Sequence, residues 1–389
     1  IKICKTFGVK RVKNIPPLDL TRQYATIESE VSAVVFEILK SGRYIGGANV
    51  TEFEQKFADY IDVGECVSCN SGTDALYLAL QVLGIGKGDE VITTPFTFIA
   101  TSEVIANVGA TPVFVDIDPV TFNLNINQIE AALTNKTKAI IPVHLFGQPL
   151  DMGQLMAVAE AHNLVVIEDC AQATGAEWEE QKVGSIGHVG CFSFFPTKNL
   201  GGCGDGGAIT TNNPQLAADL KMLKEHGSKI RYYHEVNGIN SRLDALQAAI
   251  LKIKLRYLDT WNQKRRQVAQ HYNDLLKDVP GIKPPQQLPG GKAVCNQYTI
   301  RVVGEQPSQD SLRRDHLRQS LQEQGIISMI YYPIPLHLQP VYQHLGYEAG
   351  QFPEAEQAAR EVLSLPMFPE LTLEEQKQVV DGLKISIHK

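Results

Sequence analysis

The first two thirds of the chain alternate between two hydrophobic patterns. Short runs rich in Val and Ile predict buried strands, and the longer segments between them carry apolar residues at helical spacing. The predicted strands are VITTP at 91–95, PVFVDI at 112–117, KAIIPVH at 138–144, LVVIED at 164–169 and AITT at 208–211. Helical segments such as TDALYLALQVLG, IATSEVIANVG and MGQLMAVAEAHN end near Gly or Asn, which commonly stop helices. This alternation predicts an α/β domain with a mostly parallel sheet.

The last third follows a different pattern. A long helical segment, SRLDALQAAILKIKLRYLDTWNQKRRQVAQHYNDLLKDV, begins at Ser241 and precedes a stretch rich in Pro and Gly at 280–291. Strand-like QYTIRVV, helix-like SLRRDHLRQSLQEQG, strand-like IISMIYY and two closing helical segments then predict a smaller α+β domain. We place a tail at 1–14, a large domain at 15–257 and a small domain at 258–389, with the long helical segment linking the two domains.

Charge and cysteine content narrow the range of partners. The formal net charge is −7, and Lys and Arg are dispersed, so a nucleic-acid-binding surface is not expected. No apolar run approaches the roughly 18 residues of a membrane span, and the basic start of the chain does not resemble a secretory signal. Seven scattered cysteines favour a cytoplasmic protein without a disulfide framework. The expected partners are small molecules and other subunits.

One C-x-x-C pair, Cys66 and Cys69, raises the question of a metal or redox site. The sequence has no second pair and no His cluster at a ligand-like spacing from it. We therefore interpret both cysteines as small apolar residues of a strand, and no metal is expected.

The segment VVIEDCAQATGA at 165–176 ends a predicted buried strand in Glu168 and Asp169. Because α/β proteins bind ligands at the carboxyl ends of parallel strands, a carboxylate at this place is a candidate site residue. The structural alternative is an Asp that caps the turn between the strand and the next helix.

Lys198 follows Asp169 by 29 positions, in the segment CFSFFPTKNLGGCGDGGAITT. Flanking Phe194 and Phe195 can remove water from this lysine, which disfavours its charged form and leaves a neutral, nucleophilic amine. Most lysines are simply solvated charges, so the catalytic interpretation depends on the neighbouring motifs.

The glycines after Lys198 contain G-x-G-x-x-G at Gly202, Gly204 and Gly207. A dinucleotide-binding motif must follow a strand and open a helix, whereas this one follows a turn and opens the predicted strand AITT. We therefore interpret the glycines as positions where the backbone packs closely beside the lysine turn.

A third element, CNSGTDALYLAL at 69–80, runs from a polar turn directly into a helix. Free N–H groups and the helix dipole make such a helix start a phosphate site, and Ser71 or Thr73 can add a hydroxyl. Simple N-capping by either residue is an equal alternative. A lysine, a strand-end carboxylate and a phosphate-binding helix are together what an enzyme dependent on pyridoxal 5'-phosphate (PLP) requires.

These parts, in this order, resemble the sugar aminotransferase family called DegT/DnrJ/EryC1/StrS. The resemblance runs from about residue 15 to the C-terminus and includes SGTDAL, TPFTFIAT, IEDCAQATGA, FFPTKNLGGCGDGGA, NGINSRLDALQAAIL and YYPIPLH. It implies a fold-type I PLP-dependent transferase. Such a protein has a three-layer αβα large domain with a mostly parallel sheet and a smaller C-terminal α+β domain.

The resemblance also implies roles around the cofactor ring. Lys198 would form the Schiff base with PLP, and Asp169 would pair with the pyridinium nitrogen. Gln172 would contact the ring hydroxyl or the ring face. Phe98 would stack on the ring, although by pattern alone it could equally be a core residue.

The resemblance further assigns the cofactor phosphate to Gly72, Thr73 and Ser193. Asn240, in GINSRLD, matches a residue that reaches the phosphate from the neighbouring subunit, which implies a homodimer with shared active sites.

Two more residues are candidates for substrate binding. Arg242 could bind a carboxylate of the amino donor or of an acidic sugar, with a surface arginine at a helix start as an even alternative. His337 in PIPLHLQP could line the substrate pocket, although an ordinary loop histidine is slightly favoured.

The implied activity is amino transfer, with glutamate as the expected donor, to a 3-keto or 4-keto group of a nucleotide-linked sugar. Cell-surface polysaccharide or deoxyaminosugar biosynthesis would use such a product. Lys198 argues against a PLP-dependent sugar dehydratase of the same family, which carries His at this position. A non-enzymatic regulatory protein is the other alternative, and neither a helix-turn-helix pattern nor a basic stripe supports it.

Overall fold

A computed structural model of the chain describes residues 14–304 and 312–387, so residues 1–13 of the predicted tail lie outside the described residues. The described strands are β1 (Glu65–Cys69), β2 (Glu90–Thr93), β3 (Thr111–Phe114), β4 (Thr137–Ile140), β5 (Val165–Asp169), β6 (Glu177–Trp178), β7 (Gln181–Lys182), β8 (Val189–Ser193), β9 (Gly207–Thr211), β10 (Ser228–Ile230), β11 (Tyr233–His234), β12 (Ile282–Lys283), β13 (Gly291–Lys292), β14 (Tyr298–Val302) and β15 (Val362–Leu365).

The described α-helices are α1 (Leu20–Ala25), α2 (Glu28–Ser41), α3 (Ala48–Ile61), α4 (Gly72–Val82), α5 (Ala100–Asn107), α6 (Ile129–Ala132), α7 (Met152–Ala161), α8 (Pro214–Leu223), α9 (Ala245–Leu255), α10 (Leu258–Leu276), α11 (Arg313–Glu323), α12 (Pro353–Glu361) and α13 (Leu373–Ile387). Short 3₁₀ helices cover Ile126–Gln128, Leu145–Gly147, Leu336–Leu338 and Pro340–Leu345. Within the part of the chain that is described, no helix is both long and apolar enough to cross a bilayer.

The largest sheet has seven strands in the order β1-β9-β8-β5-β4-β2-β3. Strands β8, β5, β4, β2 and β3 are parallel, and β9 is antiparallel to both of its neighbours. One face packs on α3 and α9, and the other packs on α4, α5 and α8. The predicted α/β domain with a mostly parallel sheet between two helical layers is therefore confirmed, and each of the five predicted strands is present.

Cys66 and Cys69 face opposite layers of this sheet. Cys66 packs with the α3 and α9 side, and Cys69 packs with the α4, α5 and α8 side. Burial raises the pKa of both thiols, that of Cys69 to about 12. Their side chains belong to two different hydrophobic cores, and all six cysteines in the described ranges are free of disulfides.

A second, three-stranded antiparallel sheet is formed by β12, β14 and β15. Helices α10, α11 and α13 bury Tyr272, Leu321 and Val379 in one continuous core beside it. Ile15 belongs to the same core, and its N–H donates to Gly325 O at 2.9 Å. The C-terminal part is thus the predicted smaller α+β unit, with the start of the described chain packed onto it. The domain bounds drawn from the sequence stay predictions.

The helical segment predicted from Ser241 is divided into α9 and α10. Arg256 and Tyr257 turn the chain between them, with N–H groups that bond to carbonyls three residues back. The turn brings Arg256 into an ion pair with Glu30, and Tyr257 Oη donates to the same carboxylate at 2.5 Å. The hydrophobic pattern does not reveal this break because both helices keep their helical spacing on either side of it.

The segment IISMIYY is wrong as a strand. Only Ile326 and Met329 make isolated bridges, to Ile15 and Ser364 respectively, before the chain turns away. Its partner Ser364 lies in β15, a strand that the sequence analysis did not predict. Because the chain leaves the small sheet after Met329, Tyr331 and Tyr332 lie toward the edge of the large sheet.

Candidate active site

The candidate residues gather at one edge of the large sheet. β5 ends at Asp169 and its parallel neighbour β8 ends at Ser193. β1 also runs parallel to β8, because both are antiparallel to β9, so the start of α4 lies at the same edge. The lysine turn follows β8 directly. Strand ends and a helix start therefore meet in the place where α/β sheets bind ligands.

Lys198 lies in a tight turn, where its N–H donates to Phe195 O at 2.9 Å. Its side chain is only partly exposed. Loss of hydration lowers the pKa of Lys198 to about 8, and the attraction of the Asp169 carboxylate opposes this shift. A useful fraction of the amine is therefore neutral near pH 7.5 and able to act as a nucleophile.

Asp169 is 5% exposed and is held on both of its oxygens. Thr101 Oγ1 donates to Oδ2 at 2.9 Å, and the Ala171 N–H donates to Oδ1 at 3.1 Å. Burial raises the pKa of Asp169, while these two bonds and the nearby charge of Lys198 oppose the rise. Each oxygen keeps acceptor capacity, so the carboxylate can still bind a cationic N–H group.

Gln172 connects the strand end to Tyr332. The Phe146 N–H donates to Gln172 Oε1 at 2.7 Å, and this bond fixes the orientation of the amide. Gln172 Nε2 must then be the donor to Tyr332 Oη, at 3.1 Å. Burial raises the pKa of Tyr332, so its hydroxyl keeps a proton that points away from Gln172. Sequence reasoning missed Tyr332, although it stands in the quoted YYPIPLH motif.

Gly72 and Ser193 are in direct contact at the start of α4. A side-chain carbon on Gly72 would lie 2.6 Å from Ser193 Cβ, so only glycine allows this approach. Ser71 caps the helix by accepting from Asp74 N at 3.0 Å, and Thr73 lies half-buried in the first turn. Ser71 therefore caps the helix, as the alternative interpretation expected. The cap uses one N–H group of the helix start and leaves others free to bind an anion.

Ser241, which the sequence analysis did not single out, connects the GINSRLD segment to this helix start. Its Oγ donates to Asp74 Oδ2 at 2.6 Å and accepts from Asn70 N at 3.2 Å. The neighbouring Asn240 is exposed, and Arg242 forms an ion pair with Glu225 at 3.0 Å. Within the described residues, neither Asn240 nor Arg242 makes a side-chain hydrogen bond to Gly72, Thr73 or Ser193.

Phe98 and His337 have contrasting surroundings. Phe98 is 56% exposed, with its ring centroid 6.4 Å from that of Tyr332, so it is not a core residue. His337 is 1% exposed, with Nε2 3.1 Å from Glu356 Oε1 and its ring 4.7 Å from that of Phe352. Burial lowers the pKa of His337. Its role in substrate binding stays a prediction, and the structure buries its ring against Phe352 instead of exposing it on an open surface.

Glu168 and His144 form a buried pair behind Asp169. His144 Nδ1 accepts from Leu150 N, so the proton is on Nε2, which donates to Glu168 Oε2 at 3.0 Å. Glu168 also accepts from three backbone N–H groups of the loop at 184–187. Ligand-type atoms of His144, Glu168 and Cys170 lie within 4.8 Å of one another. The His and Glu atoms are already used, so the cluster braces the strand end instead of offering a metal site.

The groups at this edge fit PLP by their chemistry. Lys198 offers an amine with a lowered pKa, Asp169 offers a buried acceptor for a cationic N–H, and the Gly72–Ser193 contact leaves the helix start open to a phosphate. The exposed ring of Phe98 adds an aromatic surface. A carbonyl compound carrying a phosphate and a basic ring nitrogen needs these four features.

Comparison with known proteins agrees with this chemistry. Residues 25–384 match the sequence profile of the DegT/DnrJ/EryC1/StrS aminotransferase family. A protein from Geobacillus stearothermophilus named "Pleiotropic regulatory protein" is 52% identical over 95% of this chain and 98% of its own length. UDP-N-acetyl-3-dehydro-alpha-D-glucosamine 3-aminotransferase from Acidithiobacillus ferrooxidans is 45% identical over 96% of this chain and 98% of its own. The crystal structure of S. venezuelae DesV in complex with a ketimine intermediate superposes with a TM-score of 0.92, at 42% identity, covering 97% of this chain and 99% of that one.

Proposed function

The chain belongs to the DegT/DnrJ/EryC1/StrS aminotransferase family and is a PLP-dependent aminotransferase, and we propose that it transfers an amino group from L-glutamate to a keto group of a nucleotide-linked sugar. The observation that carries this proposal is the pairing of a partly buried lysine with a buried carboxylate at one strand edge. We propose that the reaction takes place in the cytoplasm and supplies amino sugars for polysaccharide or deoxyaminosugar biosynthesis.

PLP, when bound, supplies an electron sink that stabilises negative charge at the carbon next to the nitrogen. In our proposal Lys198 holds the cofactor and then moves the proton between the two carbons that exchange the amino group. Its pKa of about 8 suits this work, because a general base is most effective when its pKa lies near the working pH. Asp169 keeps a proton on the ring nitrogen through an ion pair in a poorly hydrated place.

The remaining inner residues orient the cofactor in this proposal. Gly72, Thr73 and Ser193 bind the phosphate at the start of α4, where the helix dipole favours an anion. Phe98 covers the ring in this proposal, as the resemblance to the family implies, and its 56% exposed side chain beside Tyr332 leaves its ring face open for this contact.

Asn240 and Arg242 are proposed to act across a homodimer. Both flank Ser241 without bonding to the helix start themselves, and Asn240 is exposed. The nearby hairpin β10–β11 exposes Ile230 (69%), Tyr232 (82%) and Tyr233 (65%) to water. An apolar surface of this kind is expected to be covered by a second copy of the chain. The homodimer would then place Asn240 of one chain against the phosphate held by the other.

We further propose a 3-keto sugar as the acceptor, with a 4-keto sugar as the alternative. The support is the Acidithiobacillus relative, whose name specifies amino transfer at position 3 of a UDP-linked sugar. A non-enzymatic regulatory role is the second candidate, because the Geobacillus relative carries a regulatory name. A pure regulator would have no need for a lysine kept partly neutral beside a buried carboxylate.

The test combines trapping with substrate screening. Protein loaded with PLP is reduced with borohydride, and the labelled peptide is mapped; we expect the label on Lys198. The loaded protein is then supplied with L-glutamate and a panel of 3-keto and 4-keto UDP- and dTDP-sugars, and amino-sugar formation is measured by mass spectrometry. No product from any sugar, with a label elsewhere or absent, would overturn the enzymatic proposal and leave the regulatory one.

A further inference from the structure

Both residues that flank Lys198 are contacted from the small unit. Asn296, which precedes β14, donates from Nδ2 to Asn199 Oδ1 at 2.7 Å and, over a longer 3.5 Å, to Thr197 O. Asn199 in turn donates from its own Nδ2 to Val294 O at 3.1 Å. The position of the lysine turn therefore depends on contacts with a segment almost a hundred residues away in the sequence.

A third asparagine extends these contacts to the other side of the site. Asn262, on α10, accepts from Asn199 Nδ2 at 2.7 Å and donates from its own Nδ2 to Thr174 O at 3.1 Å. Thr174 follows Gln172 in the segment that leaves β5 after Asp169. One residue of α10 thus joins the lysine turn to the segment that carries the carboxylate.

The orientation of each amide in this set is determined by its partners. The carbonyls of Thr174 and Val294 can only accept, so each must face the Nδ2 of its amide. Asn262 Oδ1 is then the acceptor for Asn199, and Asn199 Oδ1 is the acceptor for Asn296. We call these three side chains the amide chain. All three are at most 6% exposed, so a broken bond would leave a polar atom without water to replace its partner.

Close packing keeps Asn262 against the carboxylate segment. Gly175, the residue after Thr174, has a φ of +86°, which favours glycine. A side-chain carbon at this position would lie 2.8 Å from Asn262 Nδ2. Only glycine lets the backbone approach Asn262 this closely, so α10 and the segment after β5 are held in direct contact.

We propose that the amide chain is a positioning device, which holds the Lys198 amine at a fixed place relative to the Asp169 carboxylate. The inference rests on the proposed role of Lys198 and deepens it. The three asparagines are positioning residues, because they act through the lysine turn and through the segment after β5. A proton carrier must lie within hydrogen-bond reach of the atoms it serves, so a small displacement of the turn should slow proton transfer more than it weakens binding.

The first test measures both half-reactions of the PLP-loaded protein in single turnovers. Asn262→Ala removes the acceptor for Asn199 and the donor to Thr174 O, and we expect the maximal rate per bound cofactor to fall about tenfold with L-glutamate and with the keto-sugar. The concentrations for half-maximal rate should change by less than about twofold, because no group proposed to bind either reactant is removed. Asn273→Ala, on the same helix, removes an acceptor for Tyr298 and is the matched control, which should keep wild-type rates.

The second test does not depend on turnover. Cofactor-free protein captures PLP through the neutral Lys198 amine, so the pH dependence of the capture rate reports the pKa of that amine. Loss of hydration lowers this pKa to about 8, and Asp169 on β5 is the charged group that opposes the shift. A loosened turn lets water reach the amine, so the midpoint should rise by about half a pH unit or more in Asn262→Ala and stay unchanged in Asn273→Ala. Asparagine carries no charge, so the rise would report a change of position.

Two further variants guard against a general loss of stability. Asn296→Ala removes the donor to Asn199 Oδ1 but leaves the bonds of Asn262, so it should give both changes at a smaller size. Asn199→Ala and Asn262→Ala remove the same bond between them, so the double variant should lose less maximal rate than the product of the two single losses. Urea unfolding of each variant identifies the pH and temperature at which it is folded.

The outcomes separate this role from the proposed function. Wild-type maximal rates in folded Asn296→Ala and Asn262→Ala, or a loss of rate without a rise in the capture midpoint, would overturn the positioning role while leaving the aminotransferase proposal intact. Equal changes in Asn273→Ala would overturn it as well. Wild-type protein that carries out neither half-reaction would instead overturn the proposed function itself.

Discussion

The candidate site has an inner half and an outer half that are built differently. The inner half comprises Asp169, Gln172 and Lys198, which this chain alone holds in place. Asp169 receives two hydrogen bonds, Gln172 is fixed on both ends of its amide, and Lys198 lies in a turn closed by its own backbone. Preorganisation of this kind lets charges act on a reacting centre without first rearranging.

The outer half comprises Phe98, Asn240 and Arg242 with the hairpin β10–β11. Phe98 is 56% exposed, Asn240 has no side-chain hydrogen bond within the described residues, and the hairpin presents aromatic side chains to water. In our proposal, chemistry is set within one chain, whereas recognition is completed by substrate, cofactor or a second chain. Mutations in the inner half should therefore impair the chemical step, whereas mutations in the outer half should impair the contribution of the second chain.

The largest effect is expected from Lys198→Ala. Removing the amine eliminates both the covalent anchor and the proton carrier, so turnover should fall by about 10³-fold or more. The measurement is steady-state amino-sugar formation with PLP in excess. Lys254→Ala, which removes another buried lysine near the glycine loop, is the control and should retain borohydride-stable PLP. If Lys198→Ala kept wild-type trapping of the cofactor, the inner half would have to be reassigned.

Asp169→Asn should have the second largest effect. The substitution keeps the shape but removes the charge that holds the proton on the ring nitrogen, and we expect about a 100-fold loss of turnover at saturating cofactor. The bound cofactor's absorbance should also change its dependence on pH. Thr101→Val, which removes only one of the two bonds to the carboxylate, should lie between wild type and Asp169→Asn. Near wild-type rates in Asp169→Asn would contradict the assigned role.

The outer half is tested by complementation between subunits. Chains with Asn240→Ala and Arg242→Ala should lose about tenfold or more in activity while still binding PLP through Lys198. Mixed with Lys198→Ala chains, they should form heterodimers with one intact site, and random exchange should restore about a quarter of the wild-type sites. Verified heterodimers that recover no activity would show that each site is made by one chain.

Tyr332→Phe tests the link between the halves and should have a smaller effect. The change removes the acceptor of the Gln172 amide, which leaves Gln172 free to turn, and turnover should fall by roughly three- to tenfold. The more specific readout is the pH dependence of the bound cofactor's absorbance, which should shift in this variant. Tyr342→Phe is a matched control, because it removes a buried hydroxyl that bonds only to Ser102. A shift of equal size in both variants would mean that Tyr332 acts through stability alone.

The inner half could be predicted from the sequence, and the contacts between distant segments could not. Asp169 and Lys198 belong to long local motifs whose strand, turn and glycine pattern fixes their position at the sheet edge. The contact of Tyr332 depends on where the chain turns after Met329, and the contact of Ser241 depends on how distant segments of the chain pack together. No local sequence pattern predicts either contact.

The smallest effect is expected on the free energy of unfolding of the cofactor-free protein, which the inner half should lower. The pKa of Lys198 falls from 10.5 to about 8 on folding, so the folded protein binds this proton less readily than the unfolded chain. Below pH 8 the lysine is charged in both states and disfavours folding; as pH rises from 8 to 10.5 the unfolded chain binds more protons, and stability increases. Lys198→Met should therefore stabilise the cofactor-free protein at pH 7 by roughly 1–3 kcal/mol, since the lowered pKa already includes the attraction to Asp169. Urea unfolding at pH 7 and pH 9.5 measures the difference in free energy of unfolding between Lys198→Met and wild type, which should shrink at the higher pH. Lys40→Met, at an exposed position, is the control and should change neither value. A variant less stable than wild type at pH 7 would mean that the amine is hydrated in the free protein, and that the inner half becomes poorly solvated only when the cofactor and the partner chain close over it.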